Sequence, residues 1–167
     1  MIIRRFARAM DLLAWSITRI CSLLMIWLII ITGWQVFGRY VLNHTPAWVE
    51  RAALLTIVYI SLPMAAVGIH QGFHMSVALF VDRLDRRLRA AIAVLVDIVL
   101  ALFGLAMAWF GGVIAHRVWG SKMSVLPFPE GVTYLPLVIS GILILLFSLE
   151  RLALPLLPRP VSHDPID

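Results

Sequence analysis

The sequence predicts an all-α integral membrane protein with four transmembrane helices, and three observations predict it. The 167 residues are 62% hydrophobic and 14% charged, with a mean hydropathy of +0.96. That is too little polar surface to clothe a soluble domain of this size, so the surplus apolar surface faces lipid. Four charge-poor runs each approach the ~20 residues needed to cross ~30 Å of hydrocarbon at ~1.5 Å per residue. Most of the basic residues fall between those runs rather than within them.

The first run is Ile20 to Gly38, 19 residues without a charge, extended back over Leu12 to Arg19. The arginine-rich start, Arg4, Arg5 and Arg8, has the look of a signal-peptide n-region. The apolar run behind it is too long for an h-region and no A-x-A cleavage site follows, so it reads as an uncleaved spanning helix. Ala52 to Ile69, uncharged for 18 residues, forms the second span, and Ala90 to Ala115, interrupted by Asp97, the third. Gly131 to Leu149, again uncharged for 19 residues, forms the fourth. The expected organisation is one four-helix membrane domain over 1–167, with spans at about 12–38, 48–70, 90–116 and 131–153 and a short proline-rich tail.

Thirteen of the 14 basic residues are arginine. Nine arginines lie before span one, between spans two and three, or after span four; Arg39, Arg51, Arg117 and Lys122 lie on the other side. The positive-inside rule then puts both termini in the cytoplasm, and it accounts for the +5 charge without nucleic acid. Trp34, Tyr40, Trp48, Trp119 and Tyr134 gather at the expected outer boundary as an aromatic belt.

Between spans two and three, Val77, Phe80, Val81, Leu84 and Leu88 recur at helical spacing, with Arg83, Arg86, Arg87 and Arg89 on the other face. This pattern predicts a basic amphipathic helix over about 75–88 lying in the inner interface, its arginines toward anionic headgroups. A plain cytoplasmic turn is the alternative.

Asp97 stands well inside a span, a position that suggests an ion ligand or a proton relay. Arg19 lies seven residues past Leu12 and Asp97 seven past Ala90, so both are expected roughly 10 Å in from the same face. Equal depth and opposite charge predict an ion pair between spans one and three. Along span three, Ala101, Gly104, Ala108 and Gly112 share Asp97's face and would let a helix approach closely, either within the bundle or from a partner.

Single Cys21 makes no disulfide and no CxxC site, which excludes the thiol oxidoreductases that need cysteine pairs. Among the histidines, His70 and His74 have no histidine at their depth on another span, His44 and His116 are both near the outer boundary with His44 in a loop, and His163 is in the tail. Haem ligation by a facing pair is therefore not expected, and His70 and His74 read as interfacial polar residues. No Walker, zincin, serine-elbow or Rossmann pattern is present. The chain is not expected to be an enzyme or to carry a cofactor, a metal or catalytic residues.

One segment carries more information. Phe37-Gly38-Arg39-Tyr40-Val41-Leu42-Asn43 runs through His44-Thr45-Pro46 into Ala47-Trp48-Val49-Glu50. It resembles the small membrane subunit, DctQ-like, of tripartite ATP-independent periplasmic (TRAP) transporters, which shows an R-Y-V-x-N turn followed by W-x-E. The resemblance continues at Gly68, His74-Met75-Ser76-Val77, Asp82-Arg83-Leu84 and Ser124-Val125-Leu126-Pro127, and covers most of the chain. Val49 stands where the family often has a first acid of a pair, and His70-Gln71-Gly72 where it often has a basic residue.

The resemblance implies a non-catalytic scaffold beside a large TRAP membrane subunit in the bacterial inner membrane. That large subunit would import an organic acid with sodium, and a periplasmic substrate-binding protein would deliver the acid. It makes Arg39, Tyr40, Trp48, Glu50, Arg117 and Lys122, on the outer side, candidates for partner contact. These residues could instead only cap helices and meet membrane lipids. The alternatives are a membrane anchor of a respiratory oxidoreductase binding haem or quinone, and a small exporter of identical subunits.

Overall fold

A computed structural model describes residues 2–44, 46–71 and 86–153. It contains α1 (Ile2–Tyr40), α2 (Ala47–Gln71), α3 (Arg86–Arg117), a 3-10 turn at Glu130–Tyr134 and α4 (Leu135–Ala153). Four stretches are long and apolar enough to cross a bilayer: Ala9–Tyr40, Ala47–Gln71, Ala91–Arg117 and Glu130–Leu152. The all-α, four-span architecture is thus the one the charge-free runs predict.

Local chemistry sets the helix ends. After Tyr40 the chain turns through Asn43 at φ 49°, a left-handed conformation that Asn tolerates better than most side chains. The His44 amide then closes back on the Gly38 carbonyl at 3.1 Å. Pro46 immediately precedes α2, and Glu50 in its first turn suits the positive end of the helix dipole. Pro63, buried inside α2, cannot donate to the Tyr59 carbonyl. In the same turn the Cys21 thiol donates weakly to the Ile60 carbonyl at 3.9 Å, stitching α1 to α2.

The helices form a row rather than a closed square. α1 packs on α2, α2 on α4, and α4 on α3, with no comparable contact between α1 and α3 among the described residues. The last described helix therefore sits inside the row, between α2 and α3. Its inner residues Ser140, Phe147, Ser148 and Glu150 are essentially inaccessible. Met10, Ala14, Ala66, Val67, Leu143, Ile144 and Phe147 form the apolar core that joins α1, α2 and α4.

The α3–α4 seam is a backbone contact. A Cβ on Gly104 would stand 2.8 Å from the Gly141 carbonyl oxygen and from the Leu145 amide nitrogen. A Cβ on Gly141 would stand 2.5 Å from the Ala108 nitrogen. Only glycine permits that approach, so part of the small-residue face on span three serves packing inside the bundle. Gly104 is buried against α4 and Ala101 and Ala108 are half-buried, but a Cβ on Gly112 would meet nothing within 4 Å.

Arg86 to Arg89, which the sequence places on an interfacial helix, open α3 instead, because helix formers continue without a break into the span. The rest of that expected helix, including Arg83, and His74 lie outside the described residues.

Candidate functional site

Charged side chains converge at one membrane end of the bundle, near the starts of the apolar stretches of α1 and α3 and the ends of α2 and α4. His70 occupies the last turn of α2 and stacks on Phe147 of α4, with ring centroids 4.4 Å apart. Its Nε2 lies 3.0 Å from Asp11 Oδ1 on α1, a distance at which the ring N–H donates to the carboxylate. Its Nδ1 faces Glu150 Oε2 on α4 at 3.2 Å. One residue further along α4 the side chain points about 100° away. Arg151 there brings its Nε to 3.1 Å from Asp97 Oδ1 on α3, and its guanidinium donates to the Ile69 carbonyl on α2 at 3.1 Å. Five ionisable side chains thus connect four helices in one plane.

Burial grades across this plane. The His70 and Glu150 side chains keep 5% and 1% of their surface and Asp97 8%, whereas Arg151 keeps 27% and Asp11 68%. Arg151 lies sixteen residues, about 24 Å, along α4 from Leu135. With a hydrocarbon core of ~30 Å, the plane sits close to one border of that core. Buried charges persist at such a level only when opposite charges and hydrogen bonds meet them, as they do here. The arrangement fixes which helices are neighbours, and the apolar core of Met10, Ala14, Ala66, Val67, Leu143, Ile144 and Phe147 packs beside it.

The expected Arg19–Asp97 pair does not form. α1 and α3 stand at opposite ends of the row, and Asp97 meets Arg151. Depth also disagrees: Arg19 lies eight residues, about 12 Å, along α1 from Asp11, which belongs to the plane that contains Asp97. Arg19 is exposed and its guanidinium lies 3.5 Å from the centroid of the Trp15 ring, one turn back toward the helix start. Helical side chains lean toward the N-terminus, so this is a snorkelling arginine on an aromatic face.

Sequence reasoning missed Asp11, Glu150 and Arg151 and took His70 for a lone interfacial residue. All sit at the ends of apolar runs, where charge looks like flanking charge. The signal that could have found them is register: His70 and Glu150 each end a span of similar length running in the same direction.

At the opposite end, Arg39, Tyr40, Trp48, Glu50, Arg117 and Lys122 are all exposed. Lys122 pairs with Pro129 across a short hairpin, closed by Met123 N–H to Phe128 O at 3.2 Å and Glu130 N–H to Ser121 O at 2.8 Å. Tyr59 of α2 donates to the Val132 carbonyl at 2.9 Å and so fixes this loop to the bundle. The partner candidates therefore all stand exposed at the same membrane end of the bundle.

Comparison with known proteins fits this architecture. Residues 28–157 match the family described as tripartite ATP-independent periplasmic transporters, DctQ component. The sialic acid TRAP transporter small permease protein SiaQ of Vibrio cholerae is 29% identical over 75 residues, a segment covering 45% of this chain and 43% of that relative. The oxidoreductase-anchor alternative gives way to this match. With four apolar spans among the described residues and a family match over residues 28–157, the chain belongs to the DctQ component of the TRAP transporters, multi-pass proteins of the bacterial inner membrane.

Proposed function

We propose that this subunit is a non-catalytic scaffold in a sodium-coupled TRAP transporter that imports an organic acid delivered by a periplasmic binding protein. The observation that carries the reading is the distribution of polarity. Among the described residues, the buried acidic and histidine side chains Asp97, Glu150 and His70 gather at one membrane end of the bundle, and the buried polar groups elsewhere, Cys21, Thr56 and Ser140, are neutral. The helices joined by the Gly104–Gly141 contact are continuous α-helices, whereas midplane transport sites use broken ones. Among the described residues, this distribution supports a chain that offers no continuous charged path for a carboxylate or a sodium ion. Transport then falls to a large membrane subunit packed beside it.

The loop-end surface is the part offered to the binding protein. It carries Arg39, Arg51, Arg117 and Lys122 against Glu50 and Glu130, a basic balance that attracts acidic patches on a soluble partner. The test is reversal of Arg117 and Lys122 to glutamate in the assembled transporter, with uptake measured across binding-protein concentrations. Uptake falls severalfold at limiting binding protein, recovers in excess, and falls less at high salt. Unchanged uptake at every concentration with the complex intact removes these residues from the docking surface. Full uptake by the large subunit and binding protein without this chain refutes the scaffold role.

A further inference from the structure

On the loop-end half of α3, beside its seam with α4, runs a groove of about 500 Å³. It is an open depression on the face of α3 itself, lined by Ala108, Trp109, Gly112 and Val113 and, toward the helix end, by His116 and Arg117. A Cβ on Gly112 would meet nothing within 4 Å, so this glycine, unlike Gly104 and Gly141, serves no packing inside the bundle. No acidic side chain lines the groove, and among the described residues no carboxylate lies within ion-pair distance of Arg117.

We infer that this groove holds an anionic phospholipid of the leaflet at the loop end, its phosphate at Arg117 and His116 and an acyl chain over Gly112 and Ala108. Three features favour that occupant. The groove is apolar along its length and cationic only at its head, the polarity of a phospholipid. Its head coincides with the last turn of a spanning helix, where headgroups stand. Trp109, 69% exposed, offers a large apolar wall toward the bilayer. The α3 C-terminus itself carries about half a negative charge, so the attraction for phosphate depends on the two basic side chains rather than on the backbone. The inference requires only that α3 spans the membrane; it shares Arg117 with the docking surface, and lipid retention measured without a binding protein separates the two roles.

The test is native mass spectrometry of the full-length chain in detergent, incubated with dioleoylphosphatidylglycerol or dioleoylphosphatidylcholine. The chain retains phosphatidylglycerol in preference to phosphatidylcholine. Arg117→Gln lowers that retention roughly fivefold, the factor expected on losing one arginine–phosphate attraction near a membrane surface. Gly112→Leu fills the groove without touching the bundle, so helical content stays unchanged while retention falls. Equal retention of the two lipids, or variants that keep phosphatidylglycerol as the parent does, overturns the proposal. A Gly112→Leu chain that keeps the lipid but no longer co-purifies with the large subunit also overturns it, marking the groove as the seat of a partner helix.

Discussion

Asp97 and Arg151 should be energetically coupled, and Asp97 and Arg19 should not. The ion pair is 3.1 Å long, and Arg151 also donates to the Ile69 carbonyl at 3.1 Å. Breaking a fully buried pair costs ~3–5 kcal/mol and breaking an exposed one ~0–1 kcal/mol. Asp97 keeps 8% of its side-chain surface and Arg151 27%, so Arg151→Ala falls between these limits, at about 2 kcal/mol. Asp97→Ala costs a similar amount. The double variant should lose about 1–2 kcal/mol less than the sum, because it leaves neither charge facing the vacated site. Arg19→Ala removes an exposed stacking contact on Trp15, at under ~1 kcal/mol, and should add to Asp97→Ala without coupling. The assay is equilibrium unfolding in mixed micelles followed by circular dichroism. Additive losses for Asp97 and Arg151, or a coupling of Asp97 with Arg19 as large as that with Arg151, would refute the arrangement of helices as well as the pair.

Gly141→Ala places a methyl 2.5 Å from the Ala108 backbone nitrogen, so α3 and α4 must separate; a loss of about 1–3 kcal/mol is expected in the same unfolding assay, and a neutral result would sink the backbone contact. Gly112→Ala, which meets nothing within 4 Å, should change stability by less than ~1 kcal/mol and lie on the favourable side through its helix propensity. Both termini are expected in the cytoplasm, so a cytoplasmic-type reporter fused after Asp167 should be active and a periplasmic-type reporter silent; the reverse would invert the loop-end surface.

Much of the fold was legible because charge-free length is a direct physical demand of the bilayer, and the four runs satisfied it. Neighbourhood was not legible. In water a buried helix face differs from an exposed one, whereas in lipid both are apolar, so nothing in the periodicity of α1 or α3 said which helix each would meet. Depth matching proposed Arg19 for Asp97 without knowledge that α4 lies between α2 and α3. The close approach of Gly104 left a trace in its small-residue spacing, but its partner Gly141 is a lone glycine in an apolar run. The charged plane escaped because Asp11, His70 and Glu150 each look ordinary at the edge of an apolar run and acquire meaning only when three such edges coincide.

The central position of α4 also orders events during synthesis. Helices emerge from the ribosome in chain order, so α1 and α2 can pair as a hairpin as soon as both are inserted. α3 arrives next, with its chief neighbour still inside the ribosome. Until α4 follows, Asp97 lacks Arg151, His70 lacks Glu150, and the cleft beside Gly104 stands open to lipid. The last described helix is therefore a keystone: before it joins, the chain holds a hairpin and a separate span whose intramembrane acid has yet to meet its arginine.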